Sequence, residues 1–215
     1  MEIKEAFVSV AAEAIAEFTE KKSRFIGRIK PVSSEAEAKA FLDSARAANR
    51  EANHHVYAFI IGADGSVQRS NDDGEPAGTG GRPVLEVIKQ AGFVNVALVV
   101  TRYFGGILLG AGGLTRAYGR AATMAIQRAQ PVLCLPARLV ALHFSYDLIS
   151  RVDGLLAAEG VKIRDKSYAE AVCYLAAIPV SRLEGLQKKL TEISNGALRL
   201  QDLAERIYIC EEYAL

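Results

Sequence analysis

The most informative segment of this 215-residue chain reads TRYFGGILLGAGGLTRAY and covers residues 101–118. Residues 94–101 have the β-branched content of a buried strand, and residues 114–130, which Pro131 ends, are predicted to form a helix. The glycine loop, residues 105–113, contains five glycines, each costing about 0.5 to 1 kcal/mol relative to alanine in a regular element. These glycines indicate close backbone approach or positive φ. The order of strand, glycine loop and helix is typical of an anion-binding site.

The glycine loop admits two interpretations, which the sequence leaves open. In one, its amide groups and the start of the following helix bind a phosphate with the help of Arg102 and Arg116. In the other, the loop is a tight turn at which strand and helix pack closely. Residues 92–136 contain no Asp, Glu or Lys, so their arginines lack local partners and slightly favour the anion site. The glycines concerned are Gly105, Gly106, Gly110, Gly112 and Gly113.

Arginines and aromatic residues of the same segment predict a surface for nucleic acid. Arg116 and Arg120 are one helical turn apart and share a face, and with Arg102 at the strand end they would position a nucleic-acid backbone. The residues that would stack on bases are Tyr103, Phe104 and Tyr118. In the alternative interpretation, the arginines pair with an acidic loop and the aromatic residues belong to the core. For the arginines, the two interpretations have equal weight. A core position is favoured for Phe104.

Known nucleotide-binding motifs are absent from the glycine loop. No lysine follows the glycines as the P-loop requires, Thr115 occupies the place of the last glycine of the dinucleotide fingerprint, and no acidic residue follows until Asp147. A mononucleotide enzyme is therefore disfavoured, and we expect no cofactor. A second basic stretch, residues 21–28, is explained most simply as the solvent face of a strand, or alternatively as an extension of the nucleic-acid surface.

The acidic loop, residues 70–81, carries Asp72, Asp73 and Glu75. Such a density of carboxylates would ligate Mg²⁺ or supply the acid and base of a hydrolase. Asp and Asn before Gly are, however, ordinary turn formers, and no nucleophile or second acidic cluster completes a site. We therefore favour a structural role or pairing with arginines, and we expect no metal. His54 and His55 open a strand and are assigned a structural role.

Composition predicts a globular protein of the cytoplasm. Half of the residues are hydrophobic, 24% are charged and the net charge is +1. The acidic start lacks the features of a signal peptide, and no apolar run approaches the ~20 residues that span a bilayer, so no membrane contact is expected. Cys134, Cys173 and Cys210 are scattered and odd in number. We interpret them as buried or idle thiols rather than as a disulfide framework or a zinc site.

Periodicity and turn signals predict two domains. In the first, a serine cap at residues 33–34 precedes a helix to about Asn49, a buried strand covers residues 56–61, and a helix covers residues 83–91. Pro131 and Pro136 bracket a short apolar connection. Beyond it, residues 139–209 follow the order βαββαβ of a ferredoxin-like domain. The boundary is placed near residue 136, which gives domains 1–136 and 137–215.

The chain resembles a known family in three motifs: SRFI at residues 23–26, NDDGEP with GTGG at residues 71–81, and the segment 101–118. Through them essentially the whole chain is similar to bacterial two-domain members of the IMPACT/YigZ family. The resemblance implies an α+β fold. Its first domain would contain a left-handed βαβ unit and be similar to a domain of ribosomal proteins and elongation factors. Its second would be ferredoxin-like, similar to a domain of elongation factor G.

The resemblance also implies a role near translation control, as in eukaryotic relatives. Two positions depart from the family pattern, because Gly80 replaces the usual alanine and Val56 stands where cysteine is frequent. The second departure further weakens any cysteine-based chemistry.

One main hypothesis and two alternatives follow for the function. The chain is expected to be a binding protein rather than an enzyme, and to contact RNA or a ribosomal component. The contacts would come from the glycine loop with Arg102, Arg116, Tyr118 and Arg120. The alternatives are a metal-dependent hydrolase that uses the acidic loop, and a protein-interaction adaptor in translation control, for which the near-neutral charge is mild support.

Overall fold

The computed structural model describes residues 6–213, apart from the side chain of Arg206. Contacts divide them into two compact units, residues 6–133 with 211–213, and residues 134–210. In chain order the elements are β1 (Phe7–Val10), β2 (Ala14–Glu20), β3 (Ser23–Pro31), α1 (Glu35–Ala48), β4 (His54–Ile61), β5 (Val67–Asn71), α2 (Gly81–Gln90), β6 (Val96–Tyr103), α3 (Ala111–Arg128), β7 (Pro131–Phe144), a 3₁₀ turn (Tyr146–Leu148), α4 (Ile149–Ala158), β8 (Ile163–Tyr168), β9 (Val172–Pro179), α5 (Val180–Ser194) and β10 (Arg199–Glu212).

The first unit is built on a five-stranded sheet with the order β2-β3-β6-β4-β5, in which neighbouring strands are antiparallel. Because β3 and β4 both run antiparallel to β6, which lies between them, they are parallel to each other. Helix α1 connects them, so β3, α1 and β4 form a βαβ unit. The long central strand β6 carries the site residue Arg102 close to its end.

Both faces of this sheet are covered by helices, and the side chains of β6 pack into a core on each face. Val96, Leu98 and Val100 pack into the core that contains residues of α2 and α3, whereas Ala97 and Val99 pack into a second core with residues of α1. Side chains alternate between the two faces of a strand. Arg102 therefore points to the side of the sheet on which α3 lies.

The predicted serine cap is confirmed at the start of α1. The hydroxyl of Ser34, the N-cap residue, accepts a hydrogen bond from the Glu37 backbone N–H, and the Glu37 carboxylate accepts one from the Ser33 N–H. The first of these bonds satisfies an N–H group of the first turn, and the second satisfies one just before the helix. The buried face of the helix carries Phe41 and Ala45 at a spacing of four residues.

The second unit has the ferredoxin-like order of strands and helices. β9 lies between β8 and β7, and β10 pairs with the other side of β7, so the sheet order is β8-β9-β7-β10. Helices α4 and α5 contribute Val152, Leu156, Leu186 and Leu190 to a core with the inward residues of β7 and β9. The chain is thus an α+β protein of two units.

Two expectations about the second half of the chain are wrong. Residues 131–136 do not form a connection, because β7 already begins at Pro131. Its ladder with β9 starts only at Ala137, so neither proline has to donate a hydrogen bond to that strand. Cys134 and Cys210 are not idle thiols but form a disulfide within the second unit, because β10 pairs with β7. Cys173 remains free and half-buried.

Within residues 6–213, no helix is both long and apolar enough to cross a membrane.

Candidate functional site

A buried ion pair lies where β6 ends and the acidic loop passes over it. Arg102 Nη1 donates to Glu75 Oε1 at 2.6 Å, and the Tyr118 hydroxyl of α3 donates to the same oxygen, also at 2.6 Å. The Arg102 and Glu75 side chains are only 5% and 4% exposed. Both hydrogen bonds end on an ionised group and are therefore of the strong, charge-assisted kind.

The glycine loop is tied to this ion pair through Ser23. Arg102 Nη2 donates to Ser23 Oγ at 3.3 Å, and the Gly105 N–H donates to the same hydroxyl at 3.2 Å. The guanidinium also lies 5.4 Å from the ring centres of Phe25 and Phe104. Arg102 thus joins the acidic loop, β3 and the start of the glycine loop.

Tyr118 acts as a permanent hydrogen-bond donor in this network. Burial and, after it, the hydrogen bond to Glu75 raise the pKa of the Tyr118 hydroxyl far above its ordinary value. The prediction that Tyr118 stacks on nucleic acid is therefore wrong, since its side chain is fully buried. Its ring instead packs edge-on against Phe25.

The structure also separates arginines that the sequence analysis grouped together. Arg102 is buried and paired with the acidic loop, as the alternative interpretation held, so it does not share an exposed surface with Arg116 and Arg120. Phe104 is 44% exposed and not part of the core that was favoured for it. The half-buried Tyr103 donates to Asn49 Oδ1 at 3.0 Å. Of the three arginines predicted to form one surface, Arg116 and Arg120 of α3 are exposed, and Lys21 lies with them.

The two aspartates of the acidic loop bind backbone groups. Asp72 accepts hydrogen bonds from the N–H groups of Gly78, Gly80 and Gly81, the last two at the start of α2. Burial raises the pKa of the Asp72 carboxyl, but these three donors outweigh it and leave the pKa below its ordinary value. Asp73 accepts from the His55 N–H at 2.7 Å and from Arg46 at 3.0 Å.

This geometry does not suit the metal site considered for the acidic loop. In the part of the chain that the structure describes, no three His, Cys, Asp or Glu side chains are grouped so that they would hold a metal ion. Each of the three acidic residues is already held, Asp72 and Asp73 by backbone N–H groups and Glu75 by Arg102 and Tyr118.

His54 and His55 have different environments. His54 Nδ1 lies 2.8 Å from the carbonyl oxygen of Asp73, and because a carbonyl only accepts, Nδ1 carries the proton. His54 Nε2 is then directed toward Glu75, 3.9 Å from Oε1. His55 Nδ1 contacts the Thr101 hydroxyl at 3.0 Å, and burial lowers the pKa of the His55 ring. His54 thus lies at the site, which sequence reasoning missed.

The glycine loop owes several of its glycines to backbone geometry. A Cβ at Gly105 would lie 2.0 Å from the Lys22 carbonyl carbon, and Gly106 and Gly110 have φ values of +82° and +72°. These three positions satisfy the tight-turn interpretation. Gly112 and Gly113 lie in the first turn of α3, which begins at Ala111, three residues earlier than predicted.

The start of α3 has the features of an anion site. Gly110 is its N-cap residue and supplies no side-chain hydrogen bond, and the first turn of this 18-residue helix holds no acidic residue. Its first N–H groups therefore lack intrahelical partners and carry the positive end of the helix dipole.

Beside this turn lies the basic groove, a depression of 270 Å³ whose cationic residues are Lys21, Arg116 and Arg120. Glu20 also lines it, 3.8 Å from Arg120 Nη1. The Arg120 guanidinium lies over the Phe18 ring at 4.4 Å. The groove therefore has a net positive charge.

Both arginines of the second basic stretch form local ion pairs. Arg24 of β3 forms an ion pair with Glu17 of the neighbouring strand β2, and Arg28 of β3 forms one with Glu13, which directly precedes β2. These ion pairs agree with the prediction that this stretch forms the solvent face of a strand. Lys21 belongs to the turn between the two strands and faces the basic groove instead.

A second depression, the apolar pocket, lies between the glycine loop and the acidic loop. It has a volume of 390 Å³, and Leu109 lines both this pocket and the basic groove. Its lining residues are Asn53, His54, Glu75, Pro76, Arg102, Phe104, Leu108, Leu109, Gly110, Ala111 and Leu114.

Comparisons with known proteins cover both units. The Impact N-terminal domain matches residues 21–126, which include the ion pair, the glycine loop and the three cations of the basic groove. A domain of unknown function, DUF1949, matches residues 142–197.

Similar proteins match over most of the chain. IMPACT family member YigZ of Escherichia coli is 36% identical over 86% of this chain and 92% of its own length, and YvyE of Bacillus subtilis is 35% identical over 81% of each. A crystal structure described as that of a hypothetical protein superposes with a TM-score of 0.64, at 34% identity over 94% of this chain and 98% of the other. Protein IMPACT homolog of Saccharomyces cerevisiae is 39% identical over 43% of this chain and 37% of its own length.

Proposed function

This chain belongs to the IMPACT family, and we propose that it is an RNA- or ribosome-associated binding protein of the cytoplasm, linked to the regulation of translation. In this proposal the phosphate backbone binds to the basic groove and to the free N–H groups at the start of α3. The link to translation comes from the family resemblance, and the binding chemistry comes from the groove.

One observation carries the proposal: a groove with three exposed cations lies beside an uncapped helix start. Arg116 and Arg120 lie in the second and third turns of α3, and Lys21 faces the same groove. Phosphate oxygens accept hydrogen bonds from guanidinium groups and from helix N-terminal N–H groups alike. Since such contacts ignore base identity, they position a nucleic-acid backbone.

The hydrolase alternative receives no support from the acidic loop. Asp72 and Asp73 organise backbone, and Glu75 neutralises a buried arginine, so none of the three is free to ligate a metal or to exchange a proton with a substrate. Substitution of any of these three residues would destabilise the fold, whether or not the loop takes part in a reaction.

Fluorescence anisotropy of a labelled single-stranded RNA across a salt series tests the proposal. With three phosphate contacts, the slope of log affinity against log salt is about −2.1, and affinity falls about twentyfold between 50 and 200 mM salt. An Arg116→Ala/Arg120→Ala variant retains one contact, with an expected slope of about −0.7. Arg102 is unsuitable for this test because it is buried.

Arg128→Ala supplies the matched control, because Arg128 is an exposed arginine in the last turn of the same helix and does not line the groove. We expect this variant to bind like the wild type. If wild-type protein binds no RNA at low salt, or if Arg128→Ala and the double variant weaken binding equally, the groove is not a phosphate site. Interaction with a protein partner in translation control would then be the function to pursue.

A further inference from the structure

We propose that the apolar pocket captures the C-terminal residue of a polypeptide. The large apolar side chain of that residue would fill the pocket, and its free carboxylate would accept hydrogen bonds from Arg102 and from the start of α3. The inference goes beyond the proposed function, because it assigns a protein ligand to a pocket that adjoins the basic groove. Both ligands would use the free N–H groups of α3, so they would bind in competition.

The pocket has apolar walls and room for one large side chain. Its apolar lining includes Phe104, Leu108 and Leu109, together with Pro76 of the acidic loop and Leu114 of α3. Its volume of 390 Å³ is near the lower end of the range for ligand pockets, about 300 to 1,000 Å³. An apolar side chain that enters it removes apolar surface from water on both partners. The pocket therefore suits a single large apolar residue.

The start of α3 supplies hydrogen-bond donors to this pocket. Gly110 and Ala111 line it, and the first intrahelical hydrogen bond runs from the Leu114 N–H to the Gly110 carbonyl oxygen at 2.9 Å. The N–H groups of Ala111, Gly112 and Gly113 precede that bond and have no intrahelical acceptor. A carboxylate is stabilised by such groups and by the positive end of the helix dipole.

Arg102 is a second, independent indication of an accepting ligand. It lines the pocket, and its side chain is only 5% exposed. Its Nη1 donates to Glu75 and its Nη2 to Ser23, but the buried Nε has no hydrogen-bond partner among the described residues. A buried donor without an acceptor destabilises a protein. An oxygen that a ligand brings into the pocket would supply the acceptor that this nitrogen lacks.

These donors favour a carboxylate over a carboxamide. A carboxylate has two oxygens that only accept, whereas a carboxamide in the same place has one accepting oxygen and an NH₂ group that would face other donors. Glu75, an acidic residue of the lining, already has Arg102 as its counter-ion at 2.6 Å. A ligand carboxylate would therefore not meet an uncompensated negative charge there.

The rim of the pocket favours a polypeptide over a small carboxylic acid. Leu108 is 82% and Phe104 is 44% exposed, so the residue that precedes a captured chain end would cover apolar surface that a small acid leaves in water. The Phe104 N–H donates to Asn53 and the Gly105 N–H donates to Ser23, which holds the rim in place. A rim formed in advance lowers the cost of ordering on binding.

The first experiment measures fluorescence anisotropy of a labelled Gly-Ser-Gly-Ser-Phe peptide that ends in a free carboxylate or in a carboxamide. We expect the acid to bind at least about tenfold more tightly than the amide. An acid that ends in alanine should bind at least about tenfold more weakly than the one that ends in phenylalanine.

Phe104→Ala should weaken binding of the phenylalanine-terminated acid about tenfold. Ile107→Ala is the matched control, since Ile107 is 41% exposed in the glycine loop but does not line the pocket. It should change binding by less than about twofold.

Ala111→Pro tests the donors at the start of α3. Proline has no N–H group and is tolerated at the first position of a helix, so α3 should remain intact, which circular dichroism checks. The variant should weaken binding of the acid but not of the amide, and so reduce the preference for the acid at least about threefold.

Competition by N-acetylphenylalanine distinguishes a chain end from a small acid. The unlabelled peptide acid should displace the labelled one at least about fivefold more effectively than N-acetylphenylalanine does. Equal competition by the two, no binding of the peptide acid, or equal binding of acid and amide would overturn the inference.

Failure of this inference and failure of the proposed function remain distinguishable. Arg116→Ala/Arg120→Ala, the variant that tests RNA binding, should keep the preference for the acid over the amide, because neither arginine lines the pocket. A preference for the acid without any RNA binding would support the pocket and refute the proposed function. RNA binding that depends on these arginines, with no preference for the acid, would do the reverse.

Discussion

Replacing Arg102 by methionine should destabilise the first unit strongly, and the structure sets the magnitude. Arg102→Met removes the guanidinium but leaves the Glu75 carboxylate 4% exposed, with the Tyr118 hydroxyl as its remaining donor. Breaking a buried ion pair by removing one partner costs about 3 to 5 kcal/mol. For a chain of this size the melting temperature should fall by about 6 to 20 °C.

A double-mutant cycle tells whether the cost comes from the unpaired charge. Glu75→Gln removes that charge and keeps an oxygen that accepts the Tyr118 hydroxyl. The variant with both substitutions should therefore be more stable than Arg102→Met alone, by about 1 to 3 kcal/mol. Urea unfolding followed by circular dichroism measures each free energy, provided that the slope with denaturant is constant across the variants.

Arg24→Met is the control for the cycle. Arg24 forms an ion pair with Glu17, but the two side chains are 51% and 55% exposed, so its loss should cost no more than about 1 kcal/mol. An Arg102→Met cost as small as that of Arg24→Met would refute the buried pair. So would a double variant whose cost equals the sum of the two single costs, because the charges would then be uncoupled.

Two further predictions concern the glycine loop and His55. Gly105→Ala should destabilise the protein, because the added Cβ would lie 2.0 Å from the Lys22 backbone, whereas Gly119→Ala on α3 meets nothing within 4 Å and should stabilise it by about 0.5 to 1 kcal/mol in the same urea assay. Burial lowers the pKa of His55 despite the opposing charge of Asp73. The contribution of the neutral His55 ring to stability should therefore be complete above pH 6.5 and be lost as the pH falls from there toward the folded-state pKa. A pH profile of the urea midpoint that is the same in His55→Gln as in the wild type would contradict this.

Local signals predicted the elements of the fold well. The serine cap of α1, the glycines and prolines that end helices, and the βαββαβ order of the second half all depend on residues close in sequence. The start of β7 was misjudged because Pro131 and Pro136 resemble the borders of a connection. Their place on a strand depends on where the ladder with β9 begins, which is a tertiary property.

The direction in which Arg102 points was harder to predict. β6 is buried on both faces, so its continuous apolar run carries no alternation that tells one face from the other. The partner, Glu75, lies 27 residues away in a loop, and only the folded sheet brings the two together. The disulfide between Cys134 and Cys210 has the same origin, since it joins two paired strands across 76 residues.

The buried ion pair explains why Phe104 and the apolar residues of the glycine loop that follows it are held in solvent. Arg102 is fixed by Glu75 and contacts Ser23, and Ser23 accepts the Gly105 N–H, so the loop leaves β6 from an anchored point. Phe104 is held there by its own N–H, which donates to Asn53. Leu108 gains no burial from this arrangement, and a loop free to move would fold such a side chain inward. Because the anchors set the pocket before any ligand arrives, binding should require little reordering of the loop, which is the condition under which a small contact area gives useful affinity.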